Sequence, residues 1–422
     1  MSNLFKAVSW LSGTNIYEVN VRQYTHEGNF KAFQNHLPRL HNMGVEVLWF
    51  MPIGPIGVEK RLGTRGSYYA CRDYKGINPE FGTLEDFKAL VAAAHNLGMK
   101  VIIDWVANHT AYDHNWTKEH PEWYIKDAEG NFTELNGWND VIDLDYEQKD
   151  MRLEMISAME YWVKECDIDG FRCDMAHLVP LSFWVEARTH CEAIKPMLWL
   201  AECEVIAYHD VFDLTYAWEW MHVTEKFIQG TANLDVLKSL LIRYAAYPAG
   251  AKKLWFTTNH DENSWNGTEY EKYKEAAKAF AVFSCTWPGV PLVYSGQELP
   301  NMKRLLFFEK DEIEWTGQPL LESFYEALLS VRRQNTALQD GAAFLPLTTN
   351  ADDKVLAYLQ VNGNNKLLTI INLSPSTRLQ LTIAHEQLSG HYKNIFNGLE
   401  RILENNTALE LQAWEYLVLS TV

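Results

Sequence analysis

The chain has 422 residues, of which 47% are hydrophobic and 22% are charged, and its formal net charge is −18. This length exceeds that of one small domain and suits a barrel of roughly 250–350 residues joined to an accessory domain. The acidic balance argues against a nucleic acid or an anionic membrane as a partner, because like charges repel, but it is compatible with a neutral substrate.

The amino terminus and the cysteines bear on the compartment. The opening segment, MSNLFKAVSWLSG, lacks the basic region and apolar run of a signal peptide, and we find no apolar stretch of 18 residues that would cross a membrane. We therefore expect a cytoplasmic protein, although a mature secreted or periplasmic chain whose signal has been removed would look the same. None of the six cysteines forms a C-x-x-C pair, which predicts free thiols in a reducing compartment.

Short apolar runs that alternate with helical stretches predict eight strands in chain order. They are Ile16–Val21, Val45–Met51, Lys100–Trp105, Gly170–Cys173, Leu198–Ala201, Val211–Leu214, Leu254–Thr257 and Pro291–Tyr294. Amphipathic segments predict helices between them, among them Thr83–Leu97, Met151–Glu165 and Tyr270–Cys285. Eightfold alternation of strand and helix is typical of the α/β class and predicts a parallel (β/α)8 TIM barrel, formed by residues 1–109 and 147–340.

Two departures from this alternation predict additional structure. Residues 110–146 are polar and aromatic without a helical period, so we expect a short insertion after the third strand. From residue 341 to residue 422 the runs VLAYLQV, KLLTIINL, RLQLTI and ALELQAWEYLVLS alternate apolar and polar residues. This period of two predicts a C-terminal antiparallel β-sandwich domain.

Polar side chains follow four of the predicted barrel strands. Asp104 ends the third strand, Asp174 follows the fourth, Glu202 follows the fifth, and the segment 259–261 (NHD) follows the seventh. The carboxyl ends of barrel strands open onto one face, where barrel enzymes hold their active sites. We therefore expect a cluster of carboxylates at one mouth.

The neighbours of two of these acids predict different chemistry. Arg172 lies two residues before Asp174, on the same side of the strand, and should lower the pKa of Asp174 and keep it ionised. Glu202 lies near other carboxylates and beside Trp199 and Leu200, and both influences should raise its pKa. Two carboxyl groups of unlike pKa, roughly 5 Å apart, would perform retaining glycoside hydrolysis with a nucleophile and an acid/base.

Six short motifs in order now give a resemblance to a known family. They are GVEVLWFMPI near the second strand, DWVANH at Asp104–His109, GFRCDMAH at Gly170–His177, AE at Ala201–Glu202, FTTNHD at Phe256–Asp261 and GVPLVYSGQE at Gly289–Glu298. Together they resemble the α-amylase family, glycoside hydrolase family 13, and most closely its α-amylase and maltodextrin-acting branches. The resemblance implies an enzyme that hydrolyses α-1,4-glucosidic bonds of starch or maltodextrins through a covalent glucosyl-enzyme.

The resemblance also implies roles for individual residues. Asp174 matches the nucleophile, Glu202 the acid/base, and Asp261 the third carboxylate that holds and distorts the sugar. The substrate-binding residues that it implies are Tyr69, His109, Arg172, His177 and His260, with Tyr68 as the competitor for the ring that stacks beneath the −1 sugar, the sugar unit that is attacked. Asp104 is expected to support Arg172, with no part in the chemistry.

The chemistry needs no cofactor, although many relatives bind a structural calcium ion through the residue matching Asn108 and carboxylates of the insertion. The candidates here are Asp140, Asp143 and Asp145, and their spacing fits no motif. Loops that should border the mouth also carry three tryptophans, Trp116, Trp138 and Trp265, which suit sugar stacking and loop packing equally.

Several functions stay open at this point. A non-enzymatic relative, such as the heavy chain of an amino-acid transporter, would carry a membrane helix and lack catalytic carboxylates. An α-glucan transglycosylase, an α-glucosidase or a cyclomaltodextrinase would use the same acids with a different acceptor or substrate. The short insertion after the third strand favours an open cleft and therefore internal cleavage of the glucan.

Overall fold

The computed structural model describes residues 4–248 and 250–422. Its strands are β1 (Ile16–Val19), β2 (Val47–Phe50), β3 (Lys100–Trp105), β4 (His109–Ala111), β5 (Val141–Asp143), β6 (Gly170–Cys173), β7 (Leu198–Ala201), β8 (Leu214–Tyr216), β9 (Lys252–Trp255), β10 (Val290–Tyr294), β11 (Ala343–Leu347), β12 (Val355–Asn362), β13 (Asn365–Asn372), β14 (Leu379–Ile383), β15 (Gly390–Asn394), β16 (Glu400–Leu403), β17 (Thr407–Leu411) and β18 (Tyr416–Thr421). Its helices are α1 (Val21–Tyr24), α2 (Phe30–Gln34), α3 (Leu37–Met43), α4 (Leu84–Asn96), α5 (Trp116–Glu119), α6 (Lys149–Cys166), α7 (Leu181–Glu192), α8 (Trp218–Ile228), α9 (Leu234–Ala245), α10 (Glu269–Tyr273), α11 (Ala277–Thr286) and α12 (Glu322–Gln334).

Eight parallel strands close into a barrel in the order β1–β10–β9–β8–β7–β6–β3–β2. Their apolar, largely buried sequences reflect a sheet that is covered on both faces. One face fills the barrel with side chains such as Trp49, Leu200 and Leu254, while the other packs against the surrounding helices. The predicted (β/α)8 barrel is confirmed.

Local sequence explains how the surrounding helices are placed, and α4 is the clearest example. Thr83 and Asp86 form a capping box at its start, each side chain accepting the other residue's backbone N–H. Leu90 and Val91 turn inward on its buried face, and Gly98, at a φ of 81°, follows its end. The helix therefore starts, packs and stops where the sequence predicts.

Several predicted barrel elements differ from the structure: the first two strands are shorter than predicted, at Ile16–Val19 and Val47–Phe50, and three other elements are displaced or interrupted. The sixth strand is Leu214–Tyr216 and not 211–214, because the chain up to Asp210 forms a 3₁₀ turn and Asp213 turns its carboxylate to Arg188. The seventh strand is Lys252–Trp255, two residues earlier than predicted. The helix predicted over 270–285 is interrupted, because Lys274 adopts a φ of 52° between α10 and α11.

The segment after β3 contains a small sheet of its own, in which β4 and β5 pair antiparallel with His109 opposite Asp143. This sheet stands beside the mouth of the barrel, because His109 follows the end of β3 by only four residues. Across the described ranges, no helix is both long and apolar enough to cross a membrane.

The C-terminal region forms a six-stranded sheet in the order β11–β12–β13–β18–β15–β16 and a two-stranded sheet of β14 and β17. Buried side chains such as Leu368, Leu381 and Leu411 join the two sheets in one core. The predicted antiparallel β region is confirmed, but the last predicted run divides into β17 and β18 on different sheets, with Trp414 at a φ of 57° between them.

Candidate active site

Register between neighbouring strands brings the predicted acids together. Asp104 on β3 lies directly beside Arg172 on β6. Asp174 and Glu202 each follow the last residue of a neighbouring strand, β6 or β7. The carboxyl ends of parallel strands share one face of the barrel, so the acids meet at its mouth.

Arg172 is the centre of the cluster and is completely buried. Its Nη1 donates to Asp104 Oδ1 and to Asp174 Oδ1, each at 2.9 Å, and its Nη2 lies 2.8 Å from Glu202 Oε2. Its Nε donates to the Tyr216 hydroxyl at 3.2 Å. One guanidinium therefore contacts three carboxylates and fixes their relative positions, as its rigid fork of donors allows.

The two carboxyl oxygens of Glu202 differ in their contacts. Its Oε2 contacts Arg172 and accepts the backbone N–H of Met175 at 2.9 Å, whereas its Oε1 accepts no hydrogen bond from the described residues. Burial raises the pKa of Glu202 to about 7, with Asp174 and Asp261 adding to the rise and Arg172 opposing it. The raised pKa has the predicted direction, and because both donors face Oε2, Oε1 is the oxygen that is free to carry a proton.

The backbone beside the nucleophile candidate is strained. Met175 has a φ of 40° and a ψ of 44°, a left-handed conformation that costs a residue with a β-carbon of order 1–3 kcal/mol. This conformation brings the Met175 N–H to Glu202. Strained residues of this kind concentrate at functional sites.

The pKa of Asp174 corrects an expectation. We expected Arg172 to lower it, but burial raises the pKa of Asp174 to about 6, because desolvation outweighs the attraction of Arg172 and Asp104 repels the charge. The pKa of Asp174 remains below that of Glu202, which burial raises to about 7.

His260 joins a second set of partners. Its Nδ1 lies 2.5 Å from Glu18 Oε1, and its Nε2 lies 2.7 Å from the Tyr69 hydroxyl and 3.2 Å from Asp261 Oδ2. Burial alone would lower the pKa of His260, but Asp261 and Glu18 raise it well above its usual value. Burial likewise opposes ionisation of Asp261, yet His260 and Arg172 hold its pKa below the ordinary value. His260 is therefore an imidazolium that faces an ionised Asp261.

His109 has the opposite charge state. Burial lowers its pKa to about 4, so the ring is neutral at neutral pH. The Asn108 amide lies 3.3 Å from its Nδ1, which leaves its Nε2 to donate. The two histidines thus differ: one is a cation and the other a neutral donor.

A cavity of about 320 Å³ unites most of the predicted site residues. It is lined by Leu62, Ser67, Tyr69, His109, Gly137, Trp138, Asn139, Asp140, Val141, Asp174, Met175, Glu202, Asp261, Trp265, Phe307 and Phe308. Arg172 and His260 lie beneath these residues, and both are at most 1% exposed. His177 is exposed and lies outside this lining.

The competing tyrosines occupy different places. Tyr69 lines the cavity, stacks on His260 with their ring planes 21° apart, and donates its hydroxyl to Asp104 at 3.1 Å. Tyr68 is buried and donates to Asn20 instead. Tyr69 is the tyrosine whose ring reaches the cavity.

The three loop tryptophans differ in whether they reach the cavity. Trp138 and Trp265 line the cavity, and Trp265 is 50% exposed. Trp116 is buried and packs edge-on against Trp123. Two of the three are therefore available to a ligand.

Three of the four residues proposed as calcium ligands bond other groups of the chain. The Asn108 amide nitrogen donates to Asp143 Oδ1 at 3.1 Å, and the other Asp143 oxygen accepts the Leu135 backbone N–H at 2.9 Å. Asp145 accepts from Gln148 near the start of α6. No three His, Cys, Asp or Glu side chains group as a metal cluster within 4–248 and 250–422. Asn108, Asp143 and Asp145 are thus bonded to other groups of the chain, whereas Asp140 lines the cavity and has a buried Oδ2 without a hydrogen-bond partner among the described residues.

Sequence reasoning missed several residues of the site, among them Glu18, Tyr216, Phe307 and Phe308. Glu18, Phe307 and Phe308 lie in segments without a recognised motif, and Tyr216 ends the misplaced sixth strand. A charged residue inside the buried run IYEV was the available signal for Glu18, because such a residue needs a partner.

The chain matches two family models, described as the alpha amylase catalytic domain at residues 12–133 and 119–206 and the alpha amylase C-terminal all-beta domain at residues 348–412. It is 26% identical over 416 residues to "Alpha-amylase MalA" of Haloarcula japonica. That similarity covers 92% of this chain but 60% of the relative, so the chain spans less than two thirds of that protein.

Two solved structures are similar along nearly the whole chain. The noncanonic maltogenic α-amylase AmyB from Thermotoga neapolitana is 33% identical, with a TM-score of 0.90, covering 97% of this chain and 99% of that one. An α-amylase from Lactobacillus plantarum is 30% identical, with a TM-score of 0.87 and the same coverage. With its closed barrel, its C-terminal β region and these relatives, the chain belongs to the α-amylase family, glycoside hydrolase family 13, and is a glycoside hydrolase.

Proposed function

We propose that the protein hydrolyses α-1,4-glucosidic bonds of starch or maltodextrins with retention of configuration, through a covalent glucosyl-enzyme. The observation that carries this proposal is the shared contact of Asp174 and Glu202 with one buried guanidinium, Arg172. Arg172 thereby holds the two carboxyl groups, whose pKa values differ, at one cavity. Double displacement at a sugar requires such a pair, one group as the nucleophile and the other as the acid/base.

In the first step, an oxygen of Asp174 attacks the anomeric carbon. Its Oδ1 is held by Arg172, and its Oδ2 accepts no hydrogen bond from the described residues, so Oδ2 is the attacking atom. Glu202 gives the proton on its Oε1 to the glycosidic oxygen as that bond breaks. The shortened glucan departs with a hydroxyl group, and the sugar remains as an ester of Asp174.

In the second step, Glu202 is ionised and works as a base. It takes a proton from a water molecule, whose oxygen attacks the anomeric carbon and displaces Asp174. Both carboxyl groups return to their starting protonation. Two inversions at one carbon leave the configuration unchanged.

The remaining residues bind the sugar. Asp261 is ionised and 38% exposed, and it accepts hydrogen bonds from hydroxyl groups of the −1 sugar. The neutral His109 donates a hydrogen bond to the same sugar from its Nε2. Tyr69 offers a flat ring beneath this sugar. His177, on the exposed turn after β6, is proposed for the leaving-group side.

The test compares Asp174→Asn and Glu202→Gln with the wild type on maltoheptaose. Each substitution should reduce kcat by several orders of magnitude while circular dichroism and Tm remain close to wild type. Intact-mass spectrometry of Glu202→Gln mixed with a glucosyl fluoride should reveal a glucosyl adduct on Asp174. Near-wild-type activity in either variant would refute the role of that residue.

A sugar hydroxyl can replace water in the second step, which would make the enzyme a transglycosylase. The same carboxylates serve both outcomes, so product analysis is needed to separate them. Products longer than maltoheptaose at early times would favour transfer over hydrolysis.

A further inference from the structure

We infer that two joined loops close the glycone side of the cleft, the side that holds the sugars from the non-reducing end up to the cleaved bond, so that the enzyme releases maltose from chain ends. The inference rests on the proposed hydrolase function. The loops follow β2 and β10, and they meet where Thr64 and Arg65 contact Phe308 and Glu309.

Strand order gives the direction of the bound glucan. Glu202 follows β7, which is the strand directly across the barrel from β1. The departing sugar must lie on the side of the acid, because Glu202 protonates its oxygen. The glycone therefore extends towards β1, which is flanked by β2 and β10 and thus by the two loops.

A row of aromatic rings in mutual contact lines the glycone side. Tyr69 is nearly parallel to Phe307, with an interplanar angle of 16° and ring centroids 6.3 Å apart. Phe307 contacts Trp265 at 5.3 Å between centroids, and Trp265 contacts Phe308 at 5.6 Å. Sugar faces pack on such rings: Tyr69 suits the −1 sugar, and Trp265 with Phe307 suits the next unit outward. Two platforms correspond to two glucose units.

Phe308 and Leu62, one from each loop, also line the cavity. The backbone N–H of Arg65 donates to the Phe308 carbonyl at 2.9 Å, and the Thr64 N–H donates to Glu309 Oε1 at 3.0 Å. Thr64 Oγ1 also bonds the other oxygen of Glu309. Main chain and side chain thus join the loops directly across the end of the cleft.

The contact between the loops is tight and requires glycine. Gly63 has a φ of 63°, and a β-carbon there would lie 2.5 Å from the Phe308 β-carbon. Glycine adopts this conformation without penalty and lets the Phe308 β-carbon and backbone carbonyl approach. Little space remains for a glucan chain to pass between the loops.

Both loops are anchored to the same segment after β1. Arg22, which is completely buried, donates to the Gly66 carbonyl at 3.1 Å and binds Glu80. From the other loop, Lys310 donates to the Thr25 carbonyl at 2.6 Å, and the Gln23 side chain accepts the N–H of Asp311 at 2.6 Å. This shared support makes the closure a fixed part of the mouth.

The closure replaces the open cleft that the short insertion after β3 led us to expect. The insertion contributes Trp138 and Asp140 to the cavity, and the two joined loops contribute Leu62 and Phe308. A glucan can then enter only by its non-reducing end, and its first two units fill the enclosed space. Cleavage after them gives maltose.

The experiment uses two nitrophenyl maltoheptaosides, one free and one with an ethylidene group on its non-reducing end, and chromatography of the oligosaccharides released. Wild-type enzyme should cleave the blocked substrate roughly tenfold or more slowly than the free one, as expected for a substrate excluded by a pocket wall. Maltose should be the first sugar released from unmodified maltoheptaose.

Phe308→Ala should open the wall, with maltotriose and longer products appearing and the preference for the free substrate lost. Glu309→Ala removes the contacts to Thr64 without touching the ring, so it tests the closure even if Phe308→Ala folds poorly. Leu306→Ala is the matched control, since Leu306 lies in the same loop, is 59% exposed and does not line the cavity.

Equal rates on the blocked and free substrates, or early products of mixed length from the wild type, would overturn the closure while leaving the hydrolase function intact. Unchanged products in both Phe308→Ala and Glu309→Ala would also overturn it. Failure of the wild type to cleave either substrate would instead overturn the proposed function.

Discussion

Glu18 Oε1 lies 2.5 Å from His260 Nδ1, and both side chains are at most 1% exposed. Glu18 sits on β1, whereas His260 follows β9, so the contact links two barrel strands that are separated by β10. A buried carboxylate and a buried imidazole stabilise each other's charge. Glu18 is thus a positioning residue that keeps His260 protonated and aimed at Asp261.

Glu18→Gln should reduce kcat by roughly ten- to a hundredfold, the loss typical when an outer partner that orients a functional group is removed. The pKa of His260 should fall, because Glu18 contributes to its rise. Proton-detected NMR of the histidine rings and the pH dependence of kcat/KM would report this change. Glu298→Gln is the matched control, since Glu298 is equally buried but bonds Tyr17 and Arg39; an unchanged His260 pKa in Glu18→Gln would contradict the role.

The pH dependence of kcat/KM should be a narrow bell. Asp174 must be ionised, so activity falls as the pH drops through about 6, the value to which burial raises its pKa. Glu202 must be protonated, so activity also falls as the pH rises through about 7, the raised pKa of that group. Initial rates on a nitrophenyl maltooligoside between pH 4 and 9 would check both limbs. Full activity at pH 9 would be incompatible with Glu202 as the acid.

Glu202→Gln should harm substrates unequally. A nitrophenolate leaves with little help from a proton, whereas a sugar alkoxide needs one, so the variant should lose roughly 10²–10⁴-fold more activity on maltoheptaose than on an activated glucoside. Azide should restore part of the activity, because a small anion can replace activated water. An equal loss of activity on both substrates would contradict the role of Glu202 as the acid.

Chelation should leave the enzyme unchanged. Asn108 and Asp143 bond each other directly, and Asp145 bonds Gln148, so these contacts hold the side chains in place without a cation. We expect the same Tm and kcat with EDTA as with added calcium chloride. A bound ion at 100 times its Kd would contribute about 2.7 kcal/mol, so a Tm lowered by several degrees in EDTA would reveal a site that these contacts do not explain.

Sequence alone was sufficient for the barrel and the acids at its mouth. Strand ends are the positions where a buried apolar run stops, and Asp104, Asp174 and Glu202 each follow such a run within a residue. The fold class then requires these ends to share one face. The carboxylate cluster could therefore be predicted without coordinates.

Properties that depend on three-dimensional surroundings could not be predicted from the sequence. The pKa of Asp174 depends on a balance between burial and Arg172 that spacing along the chain does not reveal. Phe308 lies 14 residues beyond the end of β10 in a segment without period, and its place in the cavity depends on contacts with Thr64 and Arg65. Long-range contacts between irregular loops leave no pattern in either sequence segment.

The contact of one guanidinium with three carboxylates has a consequence for the supply of protons. Asp104 and Asp174 have pKa values raised to about 6 and Glu202 to about 7, so near neutral pH the cluster retains a proton that isolated carboxylic acids would have lost to solvent. In the proposed mechanism, Glu202 holds this proton before any glucan arrives. The first step then needs no proton from bulk water, and the water consumed in the second step returns one to Glu202.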